Sequence, residues 1–291
     1  MASVPDASTS PITLINGVRG AQLAPNDRGL AYGDGLFETI ALIDHSPRHW
    51  SRHFARLQRG CLALHLECPA ASVWHADLES IISSSSAARQ VLKLILTRGG
   101  GRRGYAPTSG VPPTRIVQLA PWPESSPHTH GLRVIECATP LGLNPALAGV
   151  KHLNRLEQVL AAREIALAGA DEGLMCDGSG RVLEATRSNV FVVINHALLT
   201  PPLTEAGVLG VMREVVMERA AQHGLRVLEQ TLTLDDVVGA DELWLTNALD
   251  GVRPVTDLIH RTDTRRTGTR RFATTRGSAL RAALIAAELA P

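Results

Sequence analysis

The stretch Lys151-His152-Leu153-Asn154-Arg155-Leu156-Glu157-Gln158-Val159-Leu160 decides how the rest of this sequence is interpreted. It follows Ala148-Gly149-Val150, so the pattern predicts a lysine at the edge between an extended segment and a helix over residues 151–168. Gly169 is a typical end for such a helix. A lysine in this position can hold a cofactor aldehyde as an imine and can later act as a base.

The apolar residues of the predicted helix recur at helical spacing, which indicates that they lie on or near one face. They are Leu153, Leu156, Val159, Leu160 and Leu167.

The composition is that of an ordinary globular protein of 291 residues, with 44% hydrophobic and 20% charged residues. The net charge of +1 gives no general attraction to nucleic acid or to acidic membranes. No apolar run reaches the roughly 20 residues that a membrane-spanning helix needs. Residues 1–11 contain no lysine, no arginine and no apolar core, so they do not resemble a signal peptide. We therefore expect a cytoplasmic protein that has no nucleic-acid or membrane partner.

The cysteines form neither a Cys-x-x-Cys pair nor a spacing typical of metal sites. They are Cys61, Cys68, Cys137 and Cys176. We interpret them as reduced, buried thiols in a reducing compartment, and we predict no metal site.

The order of the predicted elements indicates a mixed α/β (α+β) fold in two domains. Strand and helix patterns alternate over residues 1–119, which predicts a smaller N-terminal domain. Residues 132–291 combine hairpins with helices and predict a larger, cofactor-binding domain. Residues 120–131 hold three prolines and show no apolar periodicity, so they are the predicted interdomain linker.

Four segments carry residue types that suit one cofactor when they occur in this order. They are His53-Phe54-Ala55-Arg56-Leu57, Lys151 to Leu160, Glu184-Ala185-Thr186-Arg187-Ser188-Asn189-Val190-Phe191 and Gly207-Val208-Leu209-Gly210-Val211-Met212-Arg213. Together they resemble the fold type IV pyridoxal phosphate enzymes. That family includes branched-chain aminotransferases, D-amino-acid aminotransferases and 4-amino-4-deoxychorismate lyases. The resemblance runs from about Leu14 to Pro254.

The resemblance implies pyridoxal 5′-phosphate as the cofactor and implies a role for each segment. Lys151 would hold the cofactor aldehyde covalently and would act as the base. Glu184 would lie against the pyridine nitrogen and keep it protonated. Arg56 would bind the phosphate as a planar, bidentate cation. Val208 would pack as an apolar wedge under the ring.

Further phosphate contacts are implied at two places. The backbone N–H groups of Val211 and Met212 would bind the phosphate from the start of a helix, where such donors are unpaired. Asn247 and Ala248 match a second phosphate-contact position of the family.

Other features resemble the lyase branch. They are the Lys-His-Leu-Asn-Arg form itself, Arg98 with Gly101-Arg102-Arg103-Gly104-Tyr105, and Asn247-Ala248. Arg98 and Arg103 would bind substrate carboxylates. Tyr105, Asn154 and Arg155 are further candidates for substrate binding. The glycine-rich segment is not a P-loop, since no Gly-Lys-Ser/Thr follows it. Its alternative interpretation is a flexible loop after a strand. Thr39 is a candidate proton donor or simply a strand residue.

The resulting hypothesis is a lyase that converts 4-amino-4-deoxychorismate into 4-aminobenzoate and pyruvate in folate biosynthesis. Lys151 would remove the proton from the carbon that bears the amine, and the enolpyruvate group would leave. The alternative is an aminotransferase that acts on branched-chain or D-amino acids with the same cofactor. A non-catalytic scaffold of this fold is a third hypothesis. The family implies a homodimer with its site near the subunit interface.

Overall fold

The computed structural model describes residues 11–123, 131–222, 226–262 and 267–289. The chain forms two compact units, of which the first comprises residues 1–124 and 150–154 and the second comprises residues 125–149 and 155–291. The predicted linker at 120–131 includes residues 124–130, which lie outside the described residues. Residues 150–154, which include Lys151, belong to the first unit, although the chain before and after them belongs to the second.

The first unit is built on one antiparallel sheet. Its strands are β1 (Ile12–Ile15), β2 (Val18–Arg19), β3 (Gly35–Ile43), β4 (Ser46–Pro47), β5 (Arg89–Thr97) and β6 (Thr114–Pro121), and its helices are α1 (Arg28–Tyr32), α2 (Trp50–Ala63) and α3 (Ala71–Ile82). The strand order is β2-β1-β6-β5-β3-β4. Leu36 and Ile40 of β3 pack with Leu57 of α2 and Trp74 of α3 in one apolar cluster. Because side chains alternate along a strand, Phe37 lies on the opposite face of β3.

The second unit contains a larger, mixed sheet. Its strands are β7 (Leu132–Glu136), β8 (Glu172–Cys176), β9 (Arg181–Ala185), β10 (Asn189–Ile194), β11 (Ala197–Thr200), β12 (Arg226–Glu229), β13 (Leu232–Thr233), β14 (Glu242–Asn247), β15 (Gly251–Arg261) and β16 (Thr267–Arg271). Its helices are α4 (Leu156–Ala168), α5 (Val211–Gln222), α6 (Leu234–Gly239) and α7 (Thr275–Leu289). The strand order is β12-β11-β10-β14-β15-β7-β8-β9-β13, with β16 paired to β15.

The two faces of this sheet bury different side chains. Val192 of β10 and Leu245 of β14 belong to a cluster on one face. Phe191 and Trp244, their neighbours along the same strands, pack on the other face with Met212 from the first turn of α5. The first turn of α5 therefore covers the face of β10 and β14 that carries Phe191 and Trp244.

The helix predicted over residues 151–168 begins at Leu156, so the predicted start at Lys151 was wrong. The N–H of Phe37 donates to the carbonyl of Lys151, and the N–H of Leu153 donates to the carbonyl of Gly35, each at 3.0 Å. Residues 151–153 therefore run beside β3 as an extended segment. Because the Lys151 carbonyl is paired with the strand, it does not accept the first hydrogen bond of a helix.

The apolar face predicted for this helix exists in α4, but it is exposed. Its residues are Leu156, Val159, Leu160 and Leu167. The opposite face buries Gln158, Ala161 and Ile165. A Cβ atom on Gly173 of β8 would overlap the Cys137 sulfur and would lie 3.0 Å from Ile165, so α4 packs closely over this strand. The absence of a side chain at Gly173 makes room for Ile165, while the leucines of α4 lie on the face that points away from the sheet.

Cys61, Cys137 and Cys176 are buried, Cys68 is half-buried, and all four are free thiols. Burial raises the pKa of Cys137 to about 12 and that of Cys176 to about 11, which makes these thiols poor nucleophiles. In the part of the chain that the structure describes, no helix is both long and apolar enough to cross a bilayer.

Candidate active site

Lys151 lies against an aromatic ring in the first unit. Its side chain is half-buried, and its Nζ is 4.2 Å from the centroid of the Phe37 ring. Thr39 follows Phe37 by two residues in β3, so both side chains project from the same face of the sheet. The lysine amine and the Thr39 hydroxyl are thus on one side of this sheet.

Lys93 is a residue of this face that the sequence reasoning missed. It lies on β5 directly opposite Thr39, and its Nζ is 5.8 Å from the centroid of the Phe37 ring. The sequence contains two lysines, Lys93 and Lys151, and both lie beside the same ring. The small number of lysines is the feature of the sequence that points to Lys93 as a second candidate residue.

Arg56 lies on the other face of β3, in a buried pair with Glu38. Its Nε donates to Glu38 Oε1 at 2.8 Å, and its Nη2 donates to Oε2. Nδ1 of His53 is 2.7 Å from the same Oε2. This bidentate contact fixes the plane of the guanidinium, which suits a phosphate ligand. Phosphate binding by Arg56 stays a prediction.

The Glu38 carboxyl is ionised and the His53 ring is neutral. Burial alone would raise the pKa of Glu38, but the charge and hydrogen bonds of Arg56, with those of His53, lower it to about 2. Burial lowers the pKa of His53 below its ordinary value, despite the neighbouring Glu38. The neutral ring therefore carries its proton on Nδ1 and donates it to the carboxylate.

Arg98, a predicted substrate ligand, is bound to groups of the first unit. Its Nε and Nη2 donate to Asp34 at 2.8 and 3.0 Å. Its Nη1 and Nη2 also donate to the carbonyls of His65 at 2.8 Å and Leu64 at 2.7 Å. These bonds use most of the guanidinium N–H groups and join β5 to the chain that follows α2. Carboxylate binding by Arg98 is a prediction that these contacts do not favour.

The glycine-rich loop after β5 is anchored through its backbone. Arg28 donates to the carbonyls of Gly104 at 2.9 Å and Tyr105 at 2.6 Å, and it pairs with Asp34 at 2.8 Å. The side chains of Arg103 and Tyr105 are exposed on this loop. An anchored loop with an exposed arginine suits the predicted substrate role of Arg103 better than a fully flexible loop does.

Asn154 ties the Lys151 segment to the end of α1. Its Nδ2 donates to the carbonyl of Gly33 at 3.0 Å. Gly33 has φ of +65°, and a Cβ atom there would crowd the Asn154 amide. Glycine is therefore required at this helix end for conformation and for space. Arg155 is the residue that precedes α4 in the second unit.

In the second unit, Glu184 and Asn189 hold the segment Gly207–Gly210 from two sides. The N–H of Val208 donates to Glu184 Oε2 at 2.7 Å, and Asn189 Nδ2 donates to the carbonyl of Val208 at 2.8 Å. Glu184 is buried, and Gly207 has φ of +83° with a Cβ position 3.1 Å from Glu184 Oε2. The two contacts fix Val208 and the carboxylate relative to each other.

The same segment leads into α5, whose first residues are Val211 and Met212. A Cβ atom on Gly210 would overlap Asn189 Oδ1, so only glycine allows the chain to enter the helix here. The first N–H groups of a helix have no partner within the helix and attract anions. A buried carboxylate beside such a helix start fits pyridoxal phosphate, which presents a basic ring nitrogen and a phosphate.

The side chain of Asn247 is bound to its own turn and to Ser188. Its Oδ1 accepts from the N–H groups of Leu249 and Asp250, each at 2.9 Å. Its Nδ2 donates to Ser188 Oγ at 3.2 Å and to Asp250 Oδ2 at 3.0 Å. The phosphate contact predicted for Asn247 and Ala248 would therefore come from the backbone of this turn and not from the amide.

Comparison with known proteins shows the family of this chain. Residues 35–258 match the family described as amino-transferase class IV. This chain belongs to that family. An aminodeoxychorismate lyase of Vibrio harveyi is 33% identical over 247 residues, which are 84% of this chain and 90% of the relative. The crystal structure of 4-amino-4-deoxychorismate lyase from Pseudomonas aeruginosa has a TM-score of 0.80 and 41% identity, covering 85% of this chain and 91% of that one.

Aminotransferases are similar to this chain as well. A putative branched-chain-amino-acid aminotransferase of Methanocaldococcus jannaschii is 33% identical over 245 residues, which are 82% of this chain and 84% of the relative. The branched-chain aminotransferase of Escherichia coli shares the fold, with a TM-score of 0.81 at 22% identity over 94% of this chain and 93% of that one. The predicted fold type IV architecture is thus confirmed, as is the predicted cofactor of this enzyme family, pyridoxal 5′-phosphate.

Arg98 and Arg103 are expected to respond differently to truncation. Arg98→Ala breaks the bonds to Asp34 and to two carbonyls, so the free energy of unfolding should fall by about 2–4 kcal/mol. Arg103→Ala removes an exposed side chain and should change the free energy of unfolding by less than about 0.5 kcal/mol. It should raise the KM for the substrate, because Arg103 is a predicted substrate ligand. Urea unfolding and steady-state kinetics measure the two effects. A fully stable Arg98→Ala variant with a raised KM would instead identify Arg98 as a substrate ligand.

The Glu38 pair should make stability depend on pH in the acid range. A carboxyl whose pKa falls from an ordinary 4.5 to about 2 on folding stabilises the protein above pH 4.5, and this contribution fades as pH falls toward 2. The shift corresponds to about 3 kcal/mol. Glu38→Gln should be less stable at pH 7 and should lose less stability between pH 5 and 3 than the parent protein. The exposed Glu67→Gln variant is the control, and an unchanged acid slope in Glu38→Gln would contradict the assignment.

Proposed function

We propose that this enzyme is a lyase that converts 4-amino-4-deoxychorismate into 4-aminobenzoate and pyruvate. The observation that carries the proposal is the position of the Lys151 amine beside Phe37, on the sheet face that also holds Thr39 and Lys93. The 41% identity to the Pseudomonas aeruginosa protein, which is named as such a lyase, supports this choice.

Each group of the site has a separate task in this proposal. Pyridoxal phosphate, when bound, supplies an aldehyde that joins the substrate amine and a ring that accepts electrons. Lys151 would hold the aldehyde before the substrate arrives, and Glu184 would keep the pyridine nitrogen protonated. Arg56, Val211 and Met212 would bind the phosphate, and Val208 would pack against the ring.

Lys151 then moves a proton. Its Nζ accepts the proton from the carbon that bears the substrate amine, and the neighbouring C–O bond to the enolpyruvate group breaks. The six-membered ring becomes aromatic, which makes the step favourable. The released enolpyruvate takes up a proton at carbon and becomes pyruvate. Thr39 donates this proton and regains one from Lys151, so the proton removed from one carbon is returned to another.

Two exposed cations, one on this face and one on the loop after β5, are proposed to bind the carboxylates of the substrate. Lys93 is a compact ammonium directly opposite Thr39, and Arg103 is an exposed guanidinium on the anchored loop. A substrate with two carboxylates can use one cation of each kind. Tyr105, Asn154 and Arg155 are the remaining proposed contacts. Arg98 would contribute indirectly, because it pairs with Asp34, and Asp34 also pairs with Arg28, which anchors the loop.

An aminotransferase is the second candidate function, and the 33% identity to the Methanocaldococcus jannaschii protein favours it. That reaction uses the same lysine but requires a keto acid to receive the amine. The two candidates therefore differ in their products and in their need for a second substrate. A scaffold without catalytic activity would need neither.

We expect formation of 4-aminobenzoate and pyruvate from 4-amino-4-deoxychorismate without any added keto acid. Lys151→Ala should lower turnover by at least about a thousandfold, because it removes the base and the cofactor anchor. Lys93→Ala should retain the absorbance of the bound cofactor and raise KM. Chromatography of the products and absorbance spectra give the readouts.

Borohydride reduction followed by peptide mapping provides the control. With two lysines in the sequence, the label can be assigned without ambiguity, and we expect it on Lys151 and not on Lys93. Product formation that depends on a keto acid would establish the aminotransferase. Label on neither lysine would establish the scaffold.

We propose that the enzyme acts as a homodimer and that the exposed face of α4 lies in the interface. Leu156 is 78% exposed and Leu167 is 81% exposed, and both lie on the face opposite to the buried Ala161. An apolar helix face of this kind is costly in water and is typical of a surface that a second protein covers.

Light scattering should show twice the chain mass of 31.1 kDa. Leu160→Glu places a charge on the proposed interface and should shift the protein toward the monomer at micromolar concentration. Leu62→Glu is the control, because Leu62 is also an exposed leucine on a helix, but it lies on α2 in the first unit. Dissociation by the Leu62 variant alone would place the interface elsewhere.

A further inference from the structure

Thr246 carries a buried hydroxyl that has no partner among the described residues. The residue is 2% exposed, and its Oγ1 makes no hydrogen bond to the protein groups that the structure describes. A threonine hydroxyl ordinarily finds an acceptor when it is buried. Thr200, at an equally buried position on β11, donates to the carbonyl of Val190 at 2.8 Å. The O–H group of Thr246 can therefore donate a hydrogen bond to a ligand.

The register of the sheet shows which way Thr246 points. Its partner on β10 is Asn189, and its partner on β15 is Val252. Directly paired residues project from the same face of a sheet. Asn189 contacts Gly210, the residue before α5, and Val252 packs in the cluster that contains Met212. Thr246 thus lies on the face that the first turn of α5 covers.

The first turn of α5 supplies a second feature on this face. The helix has 12 residues, and its initial N–H groups favour a negatively charged ligand. The Thr246 hydroxyl and the first N–H groups of α5 are all hydrogen-bond donors on the same face of the sheet. An anion with several acceptor oxygens can accept from all of them, whereas a neutral apolar group can accept from none.

We propose that the Thr246 hydroxyl donates a hydrogen bond to the phosphate group of the cofactor, beside the first turn of α5. The inference rests on the phosphate-binding role proposed for Val211 and Met212, but it does not depend on which reaction the enzyme catalyses. It adds a side-chain donor from β14 to the backbone donors of the helix.

The test compares cofactor binding by apo-protein variants. Thr246→Val keeps the β-branched shape and removes the hydroxyl, and Thr246→Ser keeps the hydroxyl. We expect the Kd of pyridoxal 5′-phosphate to rise by about tenfold or more in the valine variant and to return close to the parent value in the serine variant. The affinity for pyridoxal, which lacks the phosphate, should not change. Absorbance titration measures both ligands.

Thermal unfolding of the apo-protein separates this role from a structural one. Thr246→Val removes a hydroxyl without a protein partner, so the Tm of the apo-protein should stay equal or rise. Thr200→Val removes a hydroxyl that is paired with Val190, so it should lower the Tm of the apo-protein and leave cofactor affinity unchanged. The two threonines are therefore matched in burial and opposite in expected behaviour.

Two results would overturn the proposal. An unchanged Kd for pyridoxal 5′-phosphate in Thr246→Val would show that the hydroxyl binds a water molecule or nothing. An equal loss of affinity for pyridoxal 5′-phosphate and pyridoxal would show that it acts through the fold. Neither result bears on the reaction, because these titrations need no turnover. Conversely, a parent protein without lyase activity leaves the phosphate contact intact.

Discussion

The position of Lys151 depends on the pairing of its own backbone with β3. The hydrogen bonds from Phe37 to Lys151 and from Leu153 to Gly35 hold three residues as an added extended segment on the first unit. They set the amine over the Phe37 ring and orient it to the face that carries Thr39. A lysine in the first turn of a helix, as the pattern suggested, would have had no such fixed direction. The chemistry proposed for this amine therefore rests on a strand-like contact.

Buried charges around this segment are compensated locally, which keeps the site rigid. Glu38 accepts from Arg56 and His53, while Asp34 accepts from Arg28 and Arg98. An ion buried without a partner is strongly destabilising, so these carboxylates and their cations must stay together. The consequence is that several arginines that look available in the sequence are already committed to the protein. Lys93 and Arg103 are exposed, so these two cations suit substrate binding better than the buried arginines do.

Local patterns predicted the helices α4 and α5 but failed where distant residues compete for the same backbone groups. The start of α5 at Val211 was predicted from the segment Gly207 to Arg213. The helix start at Lys151 was wrong because β3 takes the backbone groups of residues 151–153. The use of Arg98 and of the Asn247 amide could not be foreseen, since their partners are brought near only by folding. Lys93 was not predicted, although lysine occurs at only two positions in the sequence.

The sequence by itself determined the family, the cofactor and the order of the chemical groups, because these depend on residue types at characteristic spacings. It also determined the helical face formed by the leucines of α4. Only the tertiary structure decided that this face is exposed, that Lys151 lies on an extended segment, and that the Thr246 hydroxyl, on the face covered by the first turn of α5, has no partner among the described residues. The physical reason is that hydrogen-bond partners and burial are set by contacts between segments far apart in the chain, and spacing along the chain does not encode those contacts directly.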